Sequence, residues 1–257
     1  MTRTAIFSAV VVSILLCRPT DAIACGCGGP ISSSLALGNA DVVFVGTVTR
    51  IDRRQPVVTS RHNADRSVTA TVDSTAGGPE FVVFDVAHVY KGPQVPQLAL
   101  LRGNTTCDMP FKEGEKWIVY AEETATGISA FGCSRTRLYA DGAQDVIYLE
   151  NSQRGRPQGI VYGHVLRRRD GASGEGLYAL FETLRVVAAN ASGRFSTTTD
   201  PWGPFQLVLP PGDFELWVER ADKPVASRRR IHVENGADVR IQLVVEYADG
   251  QRDKMDR

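Results

Sequence analysis

Neither sign of charge dominates this sequence: 29 Lys and Arg stand against 29 Asp and Glu in 257 residues. That balance excludes a nucleic-acid binder working through a general positive field. No apolar run reaches the roughly 18–20 residues of a membrane-spanning helix, so no transmembrane segment is expected. The histidines are few and scattered (His62, His88, His164, His232). They show neither a His-Glu-x-x-His spacing nor a Cys/His cluster for a zinc of the chain's own. A Gly-x-Ser-x-Gly elbow, a phosphate-cradling glycine loop and a pair of acids at hydrolytic spacing are also missing. His88, His232 and Asp85 fall inside strand-like runs and read as sheet residues. The chain therefore reads as non-enzymatic and without a cofactor.

What is present begins with an address. Arg3 precedes an apolar stretch over residues 5–17, followed by Arg18-Pro19-Thr20-Asp21 and Ala22-Ile23-Ala24. A basic start, a short apolar core and an Ala-x-Ala end describe a secretory signal over residues 1–24, cleaved between Ala24 and Cys25. The rival is a bacterial lipoprotein signal, which also ends with a small residue before a cysteine. Ala22 stands where such signals usually carry Leu, so secretion or periplasmic export is favoured over a lipid anchor on Cys25. Cys17 leaves with the signal, and Cys25, Cys27, Cys107 and Cys133 remain. Four cysteines in an exported chain read as two disulfides with three possible pairings. Cys25 and Cys27 are too close to bridge comfortably, which favours distant partners. A bridge closing about 80 residues contributes roughly 4–5 kcal/mol in the chain-entropy model. The competing reading makes Cys25-Gly26-Cys27 a redox or metal pair.

Strand signals dominate the rest. Residues 41–51, 81–90, 97–101, 116–121 and 127–131 are rich in β-branched and aromatic side chains. Residues 52–79 are polar without helical periodicity and read as a long loop or extended hairpin. Asp141-Gly142-Ala143-Gln144 has the form of a capping box, so a short helix is expected to close this region. Five strands and a terminal helix fit a small OB-type barrel over residues 25–150. Residues 151–158 are breaker-rich and read as a linker. Six runs follow, at 160–166, 177–187, 205–209, 214–219, 230–233 and 239–247. With turns at Pro210-Pro211-Gly212-Asp213 and Asn235-Gly236, they predict an antiparallel β-sandwich over 159–248. Residues 249–257 form a charged tail. The fold class is all-β. Arg167-Arg168-Arg169 and Arg228-Arg229-Arg230 read as solvated strand ends, and Asn104 and Asn190 head glycosylation sequons.

Several short motifs occur in one order: Cys25-Gly26-Cys27, Asn39-Ala40-Asp41-Val42-Val43, Val89-Tyr90-Lys91-Gly92, Cys107, Trp117-Ile118-Val119-Tyr120-Ala121 and Cys133. This set resembles the amino-terminal inhibitory domain of the tissue inhibitors of metalloproteinases, a netrin-like OB fold. The resemblance implies the disulfides Cys25–Cys107 and Cys27–Cys133. A further family cysteine expected near Gly38 is absent. Downstream, Thr199-Asp200, Gly203, Phe205 and Leu209-Pro210-Pro211-Gly212-Asp213-Phe214 resemble a carboxypeptidase regulatory-like or transthyretin-like module. Such modules accompany extracellular proteins without supplying catalysis.

In the inhibitor family, the terminal cysteine chelates the protease's catalytic zinc through its α-amino nitrogen and carbonyl oxygen, filling the zinc's open position. The resemblance gives that role to Cys25, with Gly26, Cys27, Gly28, Gly29 and Pro30 as the docking edge and a zinc metalloproteinase as partner. Gly26 departs from the Thr or Ser that fills a specificity pocket, a loss of about 1–3 kcal/mol. The alternatives are an extracellular binding or adhesion module and a thiol oxidoreductase using Cys25 and Cys27.

Overall fold

The computed structural model describes residues 27, 29–52, 57–62, 68–73, 80–102, 107–169, 176–179, 182–221, 223–226 and 228–245. The fold is all-β, with two α-helices among the described residues: α1 (Ser33–Asn39) and α2 (Ala143–Gln153). The signal-peptide stretch and the charged tail lie outside them.

Strand β1 (Val42–Asp52) carries the run Val42-Val43-Phe44-Val45, apolar at consecutive positions because both of its faces are covered. It pairs antiparallel with β4 (Glu80–Lys91) on one side and β6 (Lys116–Thr124) on the other. Three register shifts along β1 and β4 bend the pair. β4 continues to β5 (Gln97–Arg102), which meets β7 (Gly127–Ser129) in parallel through Leu101 and Ser129. β7 returns to β6, closing a five-stranded barrel. The short β8 (Arg137–Leu138) extends β6. Between β1 and β4, β2 (Val57–His62) and β3 (Val68–Asp73) pair as an extended hairpin.

Alternation then sorts the side chains. Val42, Phe44 and Val48 enter the barrel, where Phe44, Phe84, Phe111 and Trp117 stack edge to face at centroid distances of 5.4, 5.3 and 4.8 Å. Val43 and Val45 face outward with Ile118 and Tyr120, under Ala36 and Ala40 at α1 and Leu149 of α2. The anticipated capping box does not form. The N-cap of α2 is Gly142, which has no side chain to bond with; Asp141 lies in the preceding 3-10 turn and Gln144 reaches elsewhere.

The second unit is a sandwich. One sheet holds β9 (Gly159–Arg169) with β10 (Gly176–Ala179) and β13 (Pro204–Leu209) on one flank and β17 (Asp238–Val245) on the other. The facing sheet orders β12 (Gly193–Thr198), β11 (Arg185–Asn190) and β14 (Gly212–Arg220). Against β14 lie β15 (Lys223–Pro224) and β16 (Arg229–Val233). Phe205, Leu207, Phe214, Leu216 and Val218 fill the space between them. The sequence run 177–187 divides into two strands of different sheets. β17 joins β9 in parallel, because the Asn235-Gly236 turn crosses between sheets instead of forming a hairpin.

The stretch 151–158 is not a free linker. α2 runs on to Gln153, and Gln158 is buried. Its amide nitrogen donates to the Tyr148 carbonyl (3.0 Å) and Ser152 Oγ (3.1 Å), while its backbone N–H donates to Asn235 Oδ1 (3.0 Å). Gln158 is thereby bonded to both units.

Candidate functional site at the amino-terminal arm

Two glycines and a proline precede Ile31, and Gly29 sits at φ +112°, so the arm enters the barrel without regular structure. Regularity starts at Ser32, whose hydroxyl accepts from the Leu35 N–H (3.1 Å) and caps α1. Behind the arm, Cys27 is bonded to Cys133. Cys107 is disulfide-bonded as well. Its carbonyl accepts from the Gly132 N–H (2.6 Å), and Asp108 bridges Phe131, so Cys107 and Cys133 lie on adjoining strands of backbone. Cys25, Gly26, Gly28 and the cleavage residue Ala24 lie outside the described residues. Of the expected docking edge, Cys27, Gly29 and Pro30 lie within the described residues.

A buried ionic cluster lies beneath the arm. Thr136 Oγ1 accepts from the Tyr120 N–H (2.9 Å) and donates to the Tyr120 carbonyl (3.0 Å), fixing residues 134–136 beside β6. Arg135 is thereby turned inward. Its Nε and Nη2 donate to the two Asp145 oxygens (2.5 and 3.1 Å), and its Nη1 donates to the Ile31 carbonyl. Asp145 is fully buried in the first turn of α2, where a negative charge suits the helix dipole. It also accepts from Tyr120 Oη (2.9 Å). Burial, reinforced by the Asp145 charge, holds the Tyr120 phenol well above its ordinary range.

No family model matches the sequence, and no curated protein matches it. Among solved structures the chain is similar to the Bacillus anthracis TIE protein, at 11% identity and a TM-score of 0.28, over 82% of this chain and 35% of that one. It is also similar to a leucine-rich repeat protein from Bacteroides thetaiotaomicron, at 13% identity and a TM-score of 0.23, over 82% of this chain and 25% of that one. The chain thus spans about a third and a quarter of their lengths. Similarity that low carries no inference, and what the site can do rests on its own geometry.

That geometry includes the sandwich. A cleft of about 240 Å³ separates Cys27 and Cys133 from His164 and Asp200, with Arg137 and Asp141 on its wall. A second, of about 420 Å³, lies between Pro30, Leu35 and Phe131 on one side and Tyr162 and Arg240 on the other. Burial lowers the His164 pKa, and the Arg240 charge lowers it further. Among the described residues, no three His, Cys, Asp or Glu side chains group to hold a metal ion.

The remaining sequence candidates are apart from the arm. Asp85 accepts from Gln97 Nε2 (2.8 Å), His88 contacts Gln153 (2.9 Å), and His232 contacts Asp213 (2.7 Å). Arg228 pairs with Glu215 (3.0 Å) and stacks on Trp217. Asn190 Oδ1 accepts from the Ser192 N–H and hydroxyl and from the Gly193 N–H, and its Nδ2 donates to the Asp213 carbonyl. The sequon asparagine is a turn-forming residue here. Asn104 lies outside the described residues. Sequence reasoning missed Arg135, Asp145, Ser32, Ser33, Gln206 and Asp238, and named Tyr120 only as part of the motif at 117–121. Only Ser32-Ser33-Ser34 before an apolar stretch carried a signal, that of a helix start.

Proposed function

We propose that the chain is an exported, non-enzymatic binding protein whose processed amino terminus engages the catalytic zinc of a metalloprotease. On this reading Cys25 is the first residue after cleavage, and its α-amine and carbonyl are the chelating atoms. The observation that supports it is the double anchorage at residues 107–108 and 131–133: Cys27 is bonded to Cys133, and disulfide-bonded Cys107 lies alongside. A Cys25–Cys107 bond, as the inhibitor resemblance implies, would fix the terminal residue within two residues of the first bridge. Such a terminus pays little ordering entropy on docking. Gly26 offers no side chain to a specificity pocket, which points to a zinc protease other than the matrix enzymes.

The test begins with intact-mass measurement of exported protein. An unmodified Cys25 terminus with two disulfides is expected; an added lipid mass would replace the zinc reading with a membrane-anchored one. The verified protein is then assayed against several classes of zinc protease. Acetylating the α-amine should abolish inhibition. Inhibition should also weaken about tenfold per pH unit below roughly 7.7–8.0, where the amine takes up a proton. No inhibition in any class sinks the proposal.

A second reading has one observation in its favour. Gly29 and Pro30 line a cleft shared with the sandwich, so the edge is flanked by a second unit that a narrow protease groove must accommodate. An extracellular binding module would capture its partner from that cleft, and acetylation would leave capture intact.

A further inference from the structure

The arm is held from two sides, and only one of them belongs to the barrel. On the barrel side are the Cys27–Cys133 bond and the grip of Arg135 on the Ile31 carbonyl. On the other side, Gln206 of β13 uses both ends of its amide. Its Oε1 accepts from the Ser33 N–H (2.8 Å), and its Nε2 donates to Ser33 Oγ (2.7 Å). Ser32 Oγ donates to Asp238 Oδ2 (2.5 Å) while accepting from the Leu35 N–H, so the residue that caps α1 is oriented from β17.

Phe205, Leu207 and Leu209 of β13 enter the sandwich core, while Gln206 and Val208 face the barrel. An apolar side chain at position 206 would suit a strand covered on both faces. The amide instead sits 4% exposed against Ser33, which is fully buried. In that environment an unmatched donor or acceptor is costly, so the pairing specifies a single seating of α1 on the sandwich.

We propose that Gln206 and Asp238 are positioning residues of the amino-terminal site: the sandwich sets where residues 27–33 lie, and the partner meets an edge built by both units. The inference rests on the arm being the partner-binding edge and adds who builds it. It also constrains the partner. A Cβ built on Gly29 would lie 3.3 Å from the Arg240 guanidinium. The partner's groove must therefore be open on that flank and tolerate a cation there.

Amide hydrogen exchange on the full processed protein tests this without a protease. In Gln206→Leu, which keeps the bulk and loses both bonds, the amides of Ser33, Leu35 and Ala36 should exchange at least tenfold faster. Those of Val43 to Val45 should be unchanged, and dithiothreitol should reduce Cys27–Cys133 faster. Asp238→Ala should act in the same direction, and Asp238→Asn, which keeps an acceptor for Ser32, should restore the wild-type rates. Unchanged arm exchange, or exchange raised evenly through β1, β9 and β13, overturns the proposal, since the bonds would then merely join two units. Should Gln206→Leu fail to fold, the Asp238 pair decides. A loosened arm in a protein that inhibits nothing keeps this inference and removes the zinc reading; inhibition with unaltered exchange does the reverse.

Discussion

At the scale of single residues, the decisive group is Asp145, with no exposed surface and three donors converging on it. Burying a charged pair gives little net stability, but removing one member strands the other. Asp145→Ala leaves Arg135 uncompensated and should cost about 3–5 kcal/mol, measured by urea denaturation. Tyr120→Phe removes one bond to a carboxylate that keeps its arginine, and should cost about 1–3 kcal/mol. The same residue predicts an alkaline effect. The Tyr120 pKa is raised in the fold above its usual 10.0, so the unfolded chain ionises first. Its contribution is complete below pH 10 and is lost as pH rises through the folded value. In Tyr120→Phe that part of the alkaline slope should vanish.

At the scale of elements, two glycines make opposite predictions. Gly163 of β9 has φ +154°, and a Cβ there would stand 1.8 Å from the Ile241 carbonyl of β17. The neighbour is backbone held in a ladder and has no rotamer to yield. Gly163→Ala should therefore destabilise by about 3 kcal/mol or more, read from the denaturation midpoint. Gly38, within α1, has open space at its Cβ position and an ordinary φ. Gly38→Ala should be neutral or stabilising by up to about 1 kcal/mol. Elements also differ in how plainly the sequence announces them. The barrel strands β1, β4, β5 and β6 were readable because each buries a face or two: Val42-Val43-Phe44-Val45 has no other economical use. β12 was missed because it alternates between half-buried and exposed positions, with Phe195 its one apolar residue. α1 was missed because seven residues are too few for a helical period to show. Least legible were the contacts that build the site. Ser33 and Gln206 are 173 positions apart, and neither carries a pattern that names the other. Gln144 misled for a related reason: the edge strand β13 claims it, through the Val208 N–H (2.8 Å), and the cap goes without.

At the scale of the whole molecule, the question is what keeps barrel and sandwich seated, and His164 offers a handle on it. It lies on β9 at the cleft between the units, with Arg240 from β17 acting on it, and Arg135, Arg137, Asp141 and Asp200 sharing the cleft. Burial first and the Arg240 charge second depress its pKa below 6.5 in the folded protein. Above about pH 6.5 the ring is neutral in both states, and its contribution is complete. As the pH falls from there through the folded value, the unfolded chain gains a proton that the folded chain resists, and stability declines. The three other histidines of the described residues sit elsewhere, on β2, β4 and β16. Comparison with a His164→Gln variant isolates the cleft residue from them. Denaturation midpoints measured at pH 7.5 and pH 5.5 should fall further for the wild-type protein than for the variant. Equal falls would mean that protonating the cleft leaves the two-unit seating untouched, and the acid sensitivity of the molecule would have to be sought away from this junction.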